Sequence, residues 1–225
     1  MTWANSLSAL VWVAFIGVLL FASAGTLDWA GGWIFMAEFV ICAAAITAWL
    51  ASHDQGLLKE RMGGLYQKGQ STADRIFMSF IAVAWYAWLA LMGVDAKRWH
   101  TSHMPDSLMI AGAILIPLGF VIVWRVFRAN SFAAPVIKIQ DDRGQHVIDT
   151  GPYALVRHPM YTGAIVYMLG MPLLLGSWLG LMVLPLIIAA IIVRIFIEEA
   201  ALTEGIAGYE AYMSRVRYRL VPGVW

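Results

Sequence analysis

Apolar residues run in long blocks along this chain, separated by short polar connections. From Leu7 to Leu27 there is no charge, and Asp28 marks a tight turn. A second apolar block follows from Trp29 to Ala51, interrupted only by Glu38. The segment His53 to Arg75 is polar and reads as a loop with a short surface helix. Ile76–Val94 and Ser107–Phe127 are two further apolar blocks, joined by the polar connection Asp95–Asp106. Each block is close to the roughly 20 residues that a helix needs to cross the hydrocarbon core of a bilayer. After the polar segment Arg128–Arg157, the chain runs for 35 residues, Pro159 to Val193, without a charge. That is too long for one span. Gly176-Ser177-Trp178 at its middle offers a turn, which predicts a hairpin of two helices of about 17 residues each. The expected fold is all-α, a polytopic membrane protein of about six transmembrane helices with a C-terminal helical hairpin.

Composition agrees with this pattern. Hydrophobic residues make up 61% of the chain and charged residues 13%, too little charge for the surface of a soluble domain. Eleven tryptophans suit a protein with many membrane–water interfaces. The net charge of +1 and the lack of a basic block argue against a nucleic-acid partner. Cys42 is the only cysteine, which excludes a disulfide framework and a thiolate metal cluster. No His-x-x-x-His or Cys pair has metal-ligand spacing, so no metal is expected. The first block lacks the basic flank of a cleavable signal and is expected to be a retained span. With the N-terminus inside, the outer connections hold only Lys97 and Arg98, and the remaining 13 of the 15 Lys and Arg residues face inward. The positive-inside rule therefore predicts both termini, the loop before Pro159 and the C-terminal tail on the cytoplasmic side. The chain shows no internal repeat of the kind common in transporters.

Candidate chemistry gathers at that side. In the stretch Thr150 to Tyr161, Gly151-Pro152 gives a turn, and Pro159 suits the first position of a helix. His158 then sits at a helix start beside Arg157, placed to meet an anion or a polar ligand, although an interfacial anchor explains the triplet equally well. Arg194 and Glu198 are four apart and share a helical face. An interfacial ion pair closing the last span accounts for them. The hairpin nevertheless returns that end to the side where its first helix began, which brings His158 and Tyr161 towards Arg194, Glu198 and Glu199. A carboxylate suits an ammonium or ribose hydroxyls, and an arginine suits a carboxylate or phosphate. Asn130, Gln140, Gln145 and His146 lie in the loop feeding this stretch, where ordinary turns and an extended piece, Val136–Ile139, are expected. Glu38, about 20 Å along its helix from the inner end, is expected outside this group. In the tail, a surface helix is expected around Tyr209, Tyr212 and Met213. Arg215, Arg217 and Arg219 alternate after it, suiting an anionic lipid surface, and Val221-Pro222 is expected to end the ordered structure.

The run Gly151-Pro152-Tyr153, Val156-Arg157-His158-Pro159-Met160-Tyr161 and Gly163, an uncharged hairpin, and then Arg194 with Glu198-Glu199 and Leu202 resembles the isoprenylcysteine carboxyl methyltransferase family. The likeness continues through Gly208-Tyr209-Glu210 and Tyr212 to a Val-Pro near the C-terminus. It covers about residues 130–222, so residues 1–127 are expected to be a four-helix scaffold with substrate access and residues 128–225 the catalytic region. The resemblance implies an integral membrane methyltransferase that uses S-adenosylmethionine without a Rossmann domain. It implies a cytoplasmic cofactor pocket lined by Gln145, His146, Val147, Ile148, Tyr153, His158, Pro159, Met160 and Tyr161, with Glu198 holding a polar end of the cofactor. Gln140 is a further implied contact. Arg194 matches the substrate-side arginine, Glu199 completes the acidic pair, and Arg194, Glu198, Glu199 and His158 form the implied catalytic set. The implied acceptor is hydrophobic or lipid-like and a carboxylate. The family pattern also extends to phospholipid N-methyltransferases and small-thiol S-methyltransferases, so the acceptor atom stays open. The loop Asn130 to Gln145 looks like that of bacterial members, which implies an inner-membrane location. Two other classes compete: a sterol-type membrane reductase and a small transporter using Glu38.

Overall fold

The computed structural model describes residues 3–225, with side chains from Leu7 onward. Among the described residues, eight α-helices follow in order: α1 Trp3–Ala24, α2 Ala30–His53, α3 Gln55–Arg61, α4 Thr72–Gly93, α5 Asp106–Ala129, α6 Pro159–Leu175, α7 Trp178–Gly205 and α8 Tyr209–Arg215. No strand occurs among the described residues. Five helices are long and apolar enough to cross a membrane, namely α1, α2, α4 with the π-helical turn Val94–Arg98 that extends it, α5 and α7. The sixth expected span, α6, has 17 residues and is shorter than these. Large apolar side chains such as Leu10, Phe80, Val83, Ile110, Ile114 and Leu186 point outward. On a soluble protein so large an apolar exterior would aggregate, whereas in lipid it is the solvated face.

Helix boundaries follow local signals. Asp54 caps α3, its Oδ1 accepting from Leu57 N at 2.8 Å, and Ser71 Oγ caps α4 by accepting from Asp74 N at 3.1 Å. Pro159 opens α6, where its missing N–H costs nothing. Gly176 ends that helix at φ +76°, and Ser177 caps α7 by accepting from Gly180 N at 2.8 Å. The expected hairpin turn thus sits at Gly176-Ser177-Trp178. The second arm differs from expectation: α7 has 28 residues and continues past Glu199 to Gly205. Arg194, Glu198 and Glu199 therefore lie inside the helix, and their partners on other segments let it continue through them.

The hairpin is fixed at both ends. At its tip, the buried Asp95 Oδ2 accepts from Ser102 Oγ and Ser177 Oγ, each at 2.6 Å, and from Leu179 N at 3.1 Å, while Thr101 donates to Oδ1. Along its length, α5 and α6 form the most extensive helix pair. Glycines make this approach possible. A Cβ on Gly112 would lie 2.4 Å from Leu174 N, and one on Gly119 would lie 2.7 Å from Gly163 O and Tyr167 N. Close backbone contact through small residues is how helices associate where no hydrophobic driving force separates protein from lipid.

At the opposite end the connections fold over the bundle. The loop Asn130–Asp149 contains an Asx turn, with Asn130 Oδ1 accepting from Phe132 N at 2.8 Å, and a turn at Asp141–Arg143 closed by Gly144. The C-terminal segment pairs with the start of α6: Arg157 N donates to Tyr218 O and His158 N to Arg219 O, both at 2.9 Å. Beyond Val221-Pro222 the chain turns back, with Trp225 O accepting from Leu220 N at 2.9 Å, so order continues to the last residue.

Candidate active site

A cleft opens at this end, between the loop 130–148, the start of α6, the last turns of α7 and α8. Its floor is the α6–α7 pair, which carries His158, Met160, Tyr161 and Glu198. Val136, Ile139, Val147, Leu202, Ile206 and Tyr209 supply apolar walls. Tyr153 closes one side: its hydroxyl accepts from Asn130 Nδ2 at 2.8 Å, and its carbonyl accepts from Tyr212 OH at 2.8 Å. Burial pushes the ionisation of Tyr153, Tyr209 and Tyr212 well above the ordinary phenol range, so all three face the cleft as neutral donors. Arg61, reaching in from α3, donates to Ala133 O at 2.9 Å and lies over the Phe127 ring at 4.4 Å. Burial holds its pKa down to about 10.

The two neighbouring glutamates of α7 have different partners. Glu198 is half-buried and lines the cleft; its Oε2 accepts from Tyr161 OH at 2.6 Å. Tyr161 OH in turn accepts from Arg194 Nε at 2.8 Å. Glu199 is buried among cationic groups instead. Its Oε1 lies 2.7 Å from Arg157 Nε and 3.1 Å from His158 Nε2, and its Oε2 lies 2.9 Å from Arg219 Nη2. One helical residue is a rotation of about 100°, which separates the faces on which the two carboxylates sit.

Of the residues the sequence nominates, Gln145, His146, Val147, Ile148, Tyr153, His158, Met160, Tyr161 and Glu198 line the cleft together. Four do not. Gln140 is buried within the loop, donating through Nε2 to Phe132 O at 2.8 Å and accepting from Arg143 at 2.6 Å. Pro159 is buried behind His158 as the first residue of α6. Glu199 faces the arginine cluster. Arg194 lies behind Tyr161, donating to Pro135 O at 2.8 Å and to Met78, with Asp74 Oδ1 at 3.5 Å. Glu38 is remote from the cleft in the middle of α2.

The sequence reading missed Asp74, Arg61 and the inward turn of Arg219. Arg219 was expected at a lipid surface beside Arg215 and Arg217, yet it pairs with Glu199 and stacks over Phe196 and Trp225 at about 5 Å. The alternation of Arg215, Arg217 and Arg219 holds a signal in hindsight, because an extended segment turns every second side chain the same way and one of them must face α7. Asp74 offered no such signal, since an acidic residue after a serine cap is ordinary helix chemistry.

A helical membrane protein with a carboxylate, several neutral phenols and apolar walls around one open cleft has the makings of a site for a cationic, partly apolar ligand. In comparison with known proteins, residues 107–207 match the phospholipid methyltransferase family. The match starts at the first turn of α5 and ends just past α7, so it takes in the loop, the hairpin and both glutamates. The matched segment overlaps the part of the chain that carries the sequence resemblance to membrane methyltransferases. No curated protein matches the chain. No group of three or more His, Cys, Asp or Glu side chains able to hold a metal ion occurs among the described residues.

Proposed function

We propose that the protein is an S-adenosylmethionine-dependent methyltransferase that acts on a hydrophobic, lipid-like acceptor. The observation that carries this reading is the half-buried Glu198 carboxylate on the floor of the cleft. The donor set suits the cofactor: a carboxylate for its hydroxyls or ammonium, phenols and an imidazole for its other polar atoms, and apolar walls for its base. Glu198, Tyr161, His158, Tyr153 and the loop 145–148 would hold it. The cofactor supplies an already activated methyl group on a sulfonium. The chain's own residues then have to align the acceptor and exclude water, and no metal is needed for that task.

Two acceptor chemistries have support of different kinds. The family match favours the headgroup of a phospholipid. A carboxylate acceptor is favoured by the sequence resemblance to isoprenylcysteine methyltransferases, although Arg194 lies behind Tyr161 rather than in the cleft. In both, the acceptor enters from lipid and the cofactor from water at the cytoplasmic face.

Calorimetric titration of detergent-purified protein with S-adenosylhomocysteine tests the reading. Wild type should bind, Glu198→Ala and His158→Ala should lose at least about tenfold in affinity, equal to about 1.4 kcal/mol. Wild-type affinity in both variants would remove the assignment of the cleft. Incubation with radiolabelled cofactor and extracted membrane lipids would then identify the acceptor.

A further inference from the structure

Asp74 lies outside the matched family region, on the first turn of α4, and is 1% exposed. Its Oδ2 accepts from Gln70 Nε2 at 2.7 Å and from Ile137 N at 3.1 Å. Its Oδ1 has no hydrogen-bond partner and is 3.5 Å from Arg194 Nη2. A buried carboxylate oxygen held without a hydrogen bond is costly, so its placement beside a guanidinium points to a charge-balancing task. Arg194 is itself buried, and its nearest other acidic neighbour is Glu198, one helical turn along α7 and reached through Tyr161 OH. Arg194 thus stands between two carboxylates.

We propose that Asp74 is a positioning residue: it neutralises Arg194 and holds its guanidinium against Pro135 and α4, leaving Glu198 free for the cofactor. Without the Asp74 charge, the buried guanidinium has only one anion within reach. It would pair with Glu198 directly, displace Tyr161 from between them and occupy the carboxylate that faces the cleft. The same aspartate ties the loop wall to the membrane helices through Ile137 N, so the cleft wall and its charged floor are set by one side chain. This inference rests on the reading of Glu198 as the cofactor's anchor.

The test is a double-mutant cycle read by S-adenosylhomocysteine affinity. Asp74→Asn keeps the oxygen that accepts from Ile137 but removes the charge, and should weaken binding at least about tenfold. Arg194→Gln should bind within about threefold of wild type, because Tyr161 still donates to Glu198 and no cation is left to capture that carboxylate. The double variant Asp74→Asn/Arg194→Gln should recover that affinity, which a purely structural loss at Asp74 would not do. Wild-type affinity in Asp74→Asn, or a double variant as weak as Asp74→Asn alone, overturns the proposal. A ligand-free arm separates this outcome from failure of the cofactor reading. The thermal unfolding midpoint should fall in Asp74→Asn and recover in the double variant even if wild type binds no S-adenosylhomocysteine. No recovery would overturn the charge-balancing role by itself.

Discussion

Replacing each of the two adjacent glutamates by glutamine should separate stability from binding. Glu199 gathers Arg157 at 2.7 Å, His158 at 3.1 Å and Arg219 at 2.9 Å, and its side chain is 8% exposed. Arg157 is 7% exposed and has only carbonyls as its other partners, Met213 O and Val216 O. Glu199→Gln keeps the shape but leaves Arg157 buried without an anion. Breaking a buried pair on one side costs about 3–5 kcal/mol, and the partial exposure of Arg219 argues for the lower end. In a chain of this size, about 3 kcal/mol corresponds to a fall of at least about 6 °C in the unfolding midpoint. The loss should also loosen the C-terminal segment, because Arg157 and His158 carry its backbone pairing at Tyr218 and Arg219.

Glu198→Gln removes much less from the fold. Its recorded partner is Tyr161 OH, and an amide oxygen still accepts from a phenol, so a change within about 1 kcal/mol is expected. Midpoints of both variants at one fixed scan rate in one detergent provide the comparison. Glu199→Gln should be the unstable one and Glu198→Gln the one that loses S-adenosylhomocysteine. If Glu199→Gln unfolds at the wild-type temperature, the buried cluster is not holding the tail. If Glu198→Gln is the less stable variant, the assignment of roles to the two faces of α7 is wrong.

Two more outcomes follow from geometry. Gly112→Val should prevent α5 and α6 from closing, since a Cβ there meets Leu174 N at 2.4 Å and Gly170 O at 2.7 Å; gel filtration should show aggregated protein. An upward-shifted phenol contributes stability that is complete below its unfolded pKa and is lost as the pH rises past it. The folded protein should therefore keep Tyr153, Tyr209 and Tyr212 protonated when the pH passes about 10, with the share of the 295 nm absorbance from these three rising only on unfolding.

What the sequence revealed depended on how local each signal was. The hairpin turn was legible because a left-handed glycine and a serine cap are written in adjacent residues. The meeting of His158, Tyr161 and Glu198 was legible because a hairpin brings the start of one arm beside the end of the other. The glycine seam between α5 and α6 was not, since small residues leave an apolar block looking apolar. The length of α7 was missed for a related reason. A charged run ends a membrane helix unless it has partners, and Asp74, Arg157 and Arg219 come from three other parts of the chain.

That dependence on distant partners also explains why an acidic pair sits at this point of α7. A single carboxylate here would have to choose between neutralising Arg157 and facing the cleft. Two in succession point in directions about 100° apart, so Glu199 fixes the tail while Glu198 stays available. Arg194 lies one turn before them, and its charge would spoil the division by capturing the free carboxylate. Asp74 prevents this from a helix that shares no sequence neighbourhood with the pair. The cleft floor is thus a balance of buried charges, and removing Asp74 should be felt at Glu198.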